Sequence, residues 1–408
     1  LVGCRGNSIL RDIYDPFTKS YGLDAWAIYI HVPFCEQKCA YCDFYTLTDP
    51  TGVHPLRATF HDLIIRELEL VLEKFPHLRT AIVGSIGFGG GTPSLLQAEA
   101  LSLIVRGICE RVSLDKEAEV GLEVQPGTMD KKSYQTLAEA GFNRFSIGLQ
   151  TLNPQILTST FRRHTVEDSL LNLEWALESG CRVGADFIAN MPGENLPGFL
   201  DSLDLVAKLG VHHLSTYDLT FHPGTQWEKD LRAGRIHEPS DDERADWQLE
   251  IRSRVQELGF FTYEVSNHCR NGQASRHNCA YWECAPYVGL GPGAHGFHSG
   301  HRWFNPPQAK AWARAIADGN LYHRPSDAVL PDITRIENLH MMLRKTHGVS
   351  REIFRSRFGM DPVDCYIDFW TLYRDQGLIL WDDDRLWATA AGHLVLDGLT
   401  NSLATLKA

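Results

Sequence analysis

The stretch Tyr29-Ile-His-Val-Pro-Phe-Cys35-Glu-Gln-Lys-Cys39-Ala-Tyr-Cys42 places three cysteines in a CxxxCxxC spacing directly after a short apolar run. Thiolates so spaced can hold three irons of a [4Fe–4S] cube. Such a cluster normally takes four, so one iron is left without a protein ligand and open to chemistry. Zinc is the competing reading, but structural zinc sites supply four ligands in two spaced pairs, and no second pair lies nearby. A redox pair made of Cys39 and Cys42 leaves Cys35 unexplained.

Working outward, short β-branched runs alternate with helical patterns from Trp26 onward, the form of repeated βα units. Strands are expected at 27–32, 81–88, 119–125, 144–148, 181–189 and 213–219. Between them Leu63, Ile64, Leu68 and Leu72 recur on one helical face, as do Leu170, Leu173, Ala176 and Leu177. Gly141 and Gly180 read as C-terminal caps, Asp130 and Ser94 as N-caps. Six parallel units predict an α/β fold, a partial (β/α)6 barrel with its site at the C-terminal ends of the strands. The cysteine loop follows the first strand and opens onto that face.

At 408 residues the chain exceeds a typical single core, so a second, smaller domain is expected. The expected division is an N-terminal extension over 1–25, a barrel domain over 26–300 and a C-terminal domain over 301–408. In the last, helices at 310–318, 332–344 and 363–374 and strands at 378–381 and 385–388 suggest a helical, winged-helix-like unit. The hairpin tip Asp382-Asp383-Asp384 and a net charge of −12 argue against a nucleic-acid partner. No apolar run reaches the roughly 18 residues of a membrane span. Cys4, Cys109, Cys181, Cys269, Cys279, Cys284 and Cys365 form no disulfide framework, which points to a reducing compartment. Residues 1–25 lack the apolar core of a secretory signal, and Asp12, Asp15 and Asp24 are unusual in a transit peptide. The cytoplasm is expected, with mitochondrion or plastid as the alternative.

A second motif, Gly89-Gly90-Gly91-Thr92-Pro93, follows the second expected strand. It is not a dinucleotide fingerprint, because Thr92 stands where the last glycine of GxGxxG belongs. Glu123, Gln150 and Asp186 each end or interrupt an apolar strand with a polar group.

Together these motifs resemble the radical S-adenosylmethionine superfamily. The resemblance implies that the open iron chelates S-adenosylmethionine, whose sulfonium bond is cleaved by an electron from the cluster to give a 5′-deoxyadenosyl radical. It narrows, over roughly residues 26–400, to the branch shared by oxygen-independent coproporphyrinogen III oxidases and HemW-type haem chaperones. By that resemblance Cys35, Cys39 and Cys42 ligate the cluster. Tyr29, Gly90, Gly91, Thr92, Glu123, Gln150, Arg162 and Asp186 match positions that hold S-adenosylmethionine, and Tyr41 packs near adenine. Arg162 rather than Arg163 is assigned because the family pattern Arg-x-His-Thr falls on Arg162, Arg163, His164 and Thr165.

Two features separate the branch members. The oxidases extend the cluster motif to CxxxCxxCxC, whereas here Phe44 stands two residues after Cys42. The chaperone-like HNxxYW motif is present as His277-Asn278-Cys279-Ala280-Tyr281-Trp282. The resemblance therefore implies a haem chaperone without coproporphyrinogen III oxidase activity, with such an oxidase, decarboxylating coproporphyrinogen III by radical chemistry, as the alternative. Haem, apo-haemoprotein recipients and an electron donor for the cluster would be its partners, with His277, Asn278, Tyr281 and Trp282 at the haem. The alternative for that motif is a structural turn in which Asn278 caps backbone and Tyr281 and Trp282 pack in the core. A further group, His295, His298 and His301, is expected on a glycine-rich loop. Ala189-Asn190-Met191-Pro192 departs from the usual Tyr-Gly-Leu-Pro of the branch.

Overall fold

The computed structural model describes residues 25–270, 272–298, 300–326 and 331–405, so Cys4 and all but the last residue of the expected extension lie outside it. Six strands run parallel in chain order: β1 (Trp26–Val32), β2 (Ile82–Gly90), β3 (Ser113–Val124), β4 (Arg144–Gln150), β5 (Arg182–Ala189) and β6 (His213–Asp218). Each matches an expected strand. The sheet does not stop there. A seventh strand, β7 (Tyr287–Leu290), pairs parallel with the outer edge of β1, and an antiparallel hairpin, β8 (His295–His298) and β9 (His301–Phe304), continues it. The glycine-rich histidine segment, expected as a loop, is this hairpin.

Apolar residues of the strands point outward beneath the helices. Ile86 and Phe88 are buried on that side, while Ser85, Gly87 and Gly89 alternate inward. The helix Leu56–Lys74 buries Ile64, Leu68 and Leu72, and Val166–Glu178 buries Leu173 and Ala176, as the spacing predicts. Asp130 caps the helix Lys131–Glu139 by accepting from Ser133 N. Ser94 does not cap; its hydroxyl bonds Thr128 at 2.6 Å and accepts from the Gln125 amide.

Glu67, fully buried, explains the segment Gly289–His295. Its carboxylate accepts from Gly291 N (2.7 Å), Asn305 Nδ2 (2.7 Å) and Trp312 Nε1 (3.1 Å). A side chain at Gly291 would meet the His31 carbonyl oxygen at 2.5 Å, and its φ of +95° favours glycine. Those residues are required by close packing.

The expected domain boundary at 300/301 falls inside the hairpin. Trp303, Trp312 and Ile316 belong to the barrel core, and a separate core begins near Leu339 with Met342, Phe354, Trp370 and Leu403. This second unit joins the helices Pro331–Leu343, Arg351–Phe358 and Ile367–Asp375 to a three-stranded sheet, the winged arrangement that was expected. It docks on the N-terminal end of the barrel. Thr346 N donates to Tyr263 O, Lys345 pairs with Glu283 in a buried contact, and Arg344 lies over the Trp282 ring. No helix among the described residues is long and apolar enough to cross a membrane.

Candidate functional site

At the C-terminal ends of the strands a cavity of about 440 Å3 opens, lined by Cys35, Cys39, Cys42, Tyr41, Gly90, Gly91, Thr92, Glu123, Gln150, Arg162 and Asp186. Residues scattered over 150 positions of sequence thus meet because every βα loop emerges at one end of a parallel sheet. Two expected groups stand elsewhere. Tyr29 lies deeper in the barrel, its ring stacked 6.1 Å from that of His277, and the 277–282 motif lies at the opposite end.

The cysteine loop is fixed by its backbone. Leu47 N bonds Pro33 O and Asp49 N bonds Cys35 O, while Gly91 N and Thr92 N donate to Val32 O and Phe34 O. The glycine turn therefore lies against the strand that feeds the cysteines. A Cβ on Gly91 would meet Phe34 O at 2.7 Å, and Gly90, at φ +106°, would meet the His31 ring at 2.6 Å. Larger residues at either position would push the two loops apart.

Burial raises the Cys42 thiol to about 11 and raises Cys35 as well, the latter opposed by a hydrogen bond with Thr92. A metal bound there would displace those protons, since the thiolate is the ligating form. Among the described residues no three such side chains converge on a point that holds one metal ion. A cube, which spreads its iron corners, does not require that convergence. The Arg162 guanidinium reaches into the same space, donating to Tyr41 OH (3.3 Å) and Gly148 O (3.0 Å). Among the described residues no salt bridge joins this half-buried guanidinium to a carboxylate, although its charge acts on Asp186.

Opposite stand two acids. Burial, then the charge of Asp186, pushes Glu123 up to about 7 despite a hydrogen bond from Gly90 N. Asp186 is also raised by burial, while hydroxyls of Ser215 (2.6 Å) and Ser146 (2.8 Å) hold its carboxylate. Glu123 and Tyr217 both line the cavity, and their side chains are exposed to it rather than packed against protein. Ser146, Ser215 and Tyr217 were not singled out in the sequence. Their signal is the period-two register that places them inward beside Asp186. Gln150 adopts φ +68° at a register shift between β4 and β5, which turns its side chain toward Gly148 and Arg162. Asn190, in the departing Ala-Asn-Met-Pro segment, takes a similar φ of +63° and donates to Asp218 at 2.6 Å. Met191 packs with Ala40 and Tyr41 beneath the cysteine loop.

The HNxxYW motif forms a seven-residue helix, Arg276–Trp282, rather than a turn. Its N-terminus is capped by the Ser275 hydroxyl, not by Asn278, and enters the barrel from below. Glu119 of β3 accepts from Ser275 Oγ, Arg276 N and His277 N, each at 3.1 Å. Burial would raise Glu119, but Arg144 and Arg182 outweigh it and bring it to about 2. Both His277 nitrogens are engaged, Nδ1 with Ser85 Oγ at 3.0 Å and Nε2 with Tyr281 OH at 3.1 Å. Burial lowers the imidazole to about 4, so it is neutral.

With this geometry in place, known proteins can be set beside the chain. Residues 29–226 match the Radical SAM superfamily. Haem chaperone HemW of Mycobacterium tuberculosis (strain CDC 1551 / Oshkosh) is 32% identical over 385 residues, covering 93% of this chain and 94% of the relative. The chain belongs to the radical SAM superfamily. Within it the chain falls in the branch of those haem chaperones. "Radical S-adenosyl methionine domain-containing protein 1, mitochondrial" of Bos taurus is 30% identical over 415 residues, 96% of this chain and 90% of that protein. The solved coproporphyrinogen III oxidase HemN of Escherichia coli, a radical SAM enzyme, superposes with a TM-score of 0.78 at 19% identity, covering 95% and 91% of the two chains. That likeness establishes the fold.

Proposed function

We propose that this radical SAM protein binds haem and passes it to apo-haemoproteins, holding a [4Fe–4S] cluster and S-adenosylmethionine in the barrel cavity. The observation that carries the reading is the similarity to haem chaperones over nearly the full length of both chains, the 277–282 helix and the docked C-terminal unit included. Phe44, where the oxidases have a further cysteine, is exposed at the cavity rim and supplies no ligand.

The cavity residues fit the cofactors chemically. Cys35, Cys39 and Cys42 would ligate the cluster on three corners. Arg162, lacking a carboxylate partner, suits the methionyl carboxylate. Glu123 and Asp186 would accept the methionyl ammonium, with the backbone of Gly90, Gly91 and Thr92 beside it. Gln150 would complete the polar wall and Tyr41 would flank the adenine. Tyr29, one layer below, would close the floor. When bound, cluster and sulfonium supply one-electron chemistry that these side chains lack. An electron donor for the cluster is part of this reading. So is a reducing compartment, the cytoplasm or, in line with the name of the Bos taurus relative, the mitochondrion.

Haem contact through His277, Asn278, Tyr281 and Trp282 requires His277 to give up Ser85 or Tyr281, since imidazole ligates iron through a free nitrogen. The test is haem retention by anaerobically purified, cluster-loaded protein. Wild type should hold haem and transfer it to an apo-haemoprotein, and His277→Ala should hold less. Failure of the wild type to retain haem, or accumulation of protoporphyrinogen from coproporphyrinogen III with reductant and S-adenosylmethionine, overturns the reading.

A further inference from the structure

Of the three clustered histidines in the sequence, only two share a face of the hairpin. Antiparallel pairing sets His298 directly opposite His301 and Gly296 opposite Trp303, and residues so paired project to the same side. His295 projects to the other side, stacked on Phe304. On the first side a histidine from 221 positions earlier replaces it. His77, on the turn Pro76–Arg79, faces His298 with Nε2 against Nε2 in direct contact and ring centroids 4.7 Å apart.

Phe75 and Trp303 back the pair. Phe75 meets the His298 ring edge-on at 5.5 Å and stacks on Trp303 at 5.7 Å. Two ring nitrogens so close share one proton at most, and a metal ion takes the place of that proton readily. A tetrahedral ion with bonds of 2.0–2.1 Å sets its nitrogens about 3.3 Å apart, a small side-chain rotation away from contact.

We infer that His77 and His298, joined by the exposed His301, form a surface site for a divalent first-row transition-metal ion, zinc above all. Imidazole is the fitting ligand for such an ion. Two ligands are already together, and His301, paired with His298 across the hairpin, is exposed on the same side. The site is separate from the barrel cavity and does not depend on the reading of the cavity.

Zinc titration of cluster-loaded protein by calorimetry tests this. Wild type and His295→Gln should bind one equivalent alike. His77→Gln and His298→Gln should each weaken binding at least tenfold, and His301→Gln less. Zinc-edge X-ray absorption of the wild type gives a readout independent of any variant. Nitrogen scatterers at about 2.0 Å are expected, and sulfur at about 2.3 Å would place the ion on cysteines and overturn the site. An unchanged isotherm in the His77→Gln/His298→Gln double variant would overturn it equally.

Discussion

The two halves of the barrel interior are built on the same inward-facing strand positions and end in opposite states. At the N-terminal end the central carboxylate has protein partners throughout. Glu119 meets Arg144 at 2.8 Å, Arg182 lies at 3.6 Å, and the amides of the 276–282 helix complete the carboxylate. At the C-terminal end no salt bridge among the described residues joins Arg162 to a carboxylate, while Glu123 and Asp186 both line the cavity. Buried charge is costly unless it is paired, so the lower half pairs it within the protein. On the proposed reading the upper half leaves that pairing to bound S-adenosylmethionine.

The contrast can be broken in several ways. Replacing Cys35, Cys39 and Cys42 together by Ala should abolish iron and sulfide incorporation while leaving the thermal melt of the apo-protein nearly unchanged, as iron analysis and circular dichroism would show. Glu119→Ala should cost about 3 kcal/mol of folding stability, because Arg144 and Arg182 are then buried without an anion. Urea denaturation measures that loss, and a neutral result would mean that the lower half is not the stabilising one. Arg162→Ala should leave stability within about 0.5 kcal/mol and weaken S-adenosylmethionine binding by roughly 2 kcal/mol, about thirtyfold, in equilibrium dialysis.

Smaller effects sharpen the comparison. Ser85→Ala removes the Nδ1 partner of His277 and should cost about 1 kcal/mol. Glu123 supplies the pH test. Its ordinary value is 4.5 and the folded chain raises it to about 7, so the folded state holds the proton longer than the unfolded state. Stability from this group is therefore lost as pH rises from 4.5 to about 7. Glu123→Gln should gain over wild type above pH 7 and lose that gain below pH 4.5. Because the carboxylate borders solvent in the cavity, the gain should be on the order of 1 kcal/mol. Denaturation at pH 5 and pH 8 would show it.

Much of this was legible in the residues. Six strands and the facing helices announce themselves through period-two and period-3.6 patterns, and most of the cavity wall follows from knowing that strand C-termini share one end. The seventh strand was not legible, because Tyr287-Val288-Gly289-Leu290 is only four residues long and is followed by glycine. The domain boundary was misplaced because Trp303 and Pro306 look like a linker until Trp303 is seen packing under the hairpin. Ser146 and Ser215 were passed over because serine on a strand carries no signal without the partner it faces.

The sequence by itself determined the family, the parallel strands and the three thiols, since these depend on spacing along the chain and on local periodicity. Only the tertiary structure decided which charges are satisfied. Arg144 is buried and Arg162 half-buried, and nothing local in the sequence distinguishes them. One finds Glu119 because β3 and the 276–282 helix meet at the barrel base, and the other lines the cavity. The same holds for His277 and His77, a motif histidine with both nitrogens engaged and an unremarked one set against His298. Hydrogen-bond and charge partners are chosen in space, and residues hundreds of positions apart supply them.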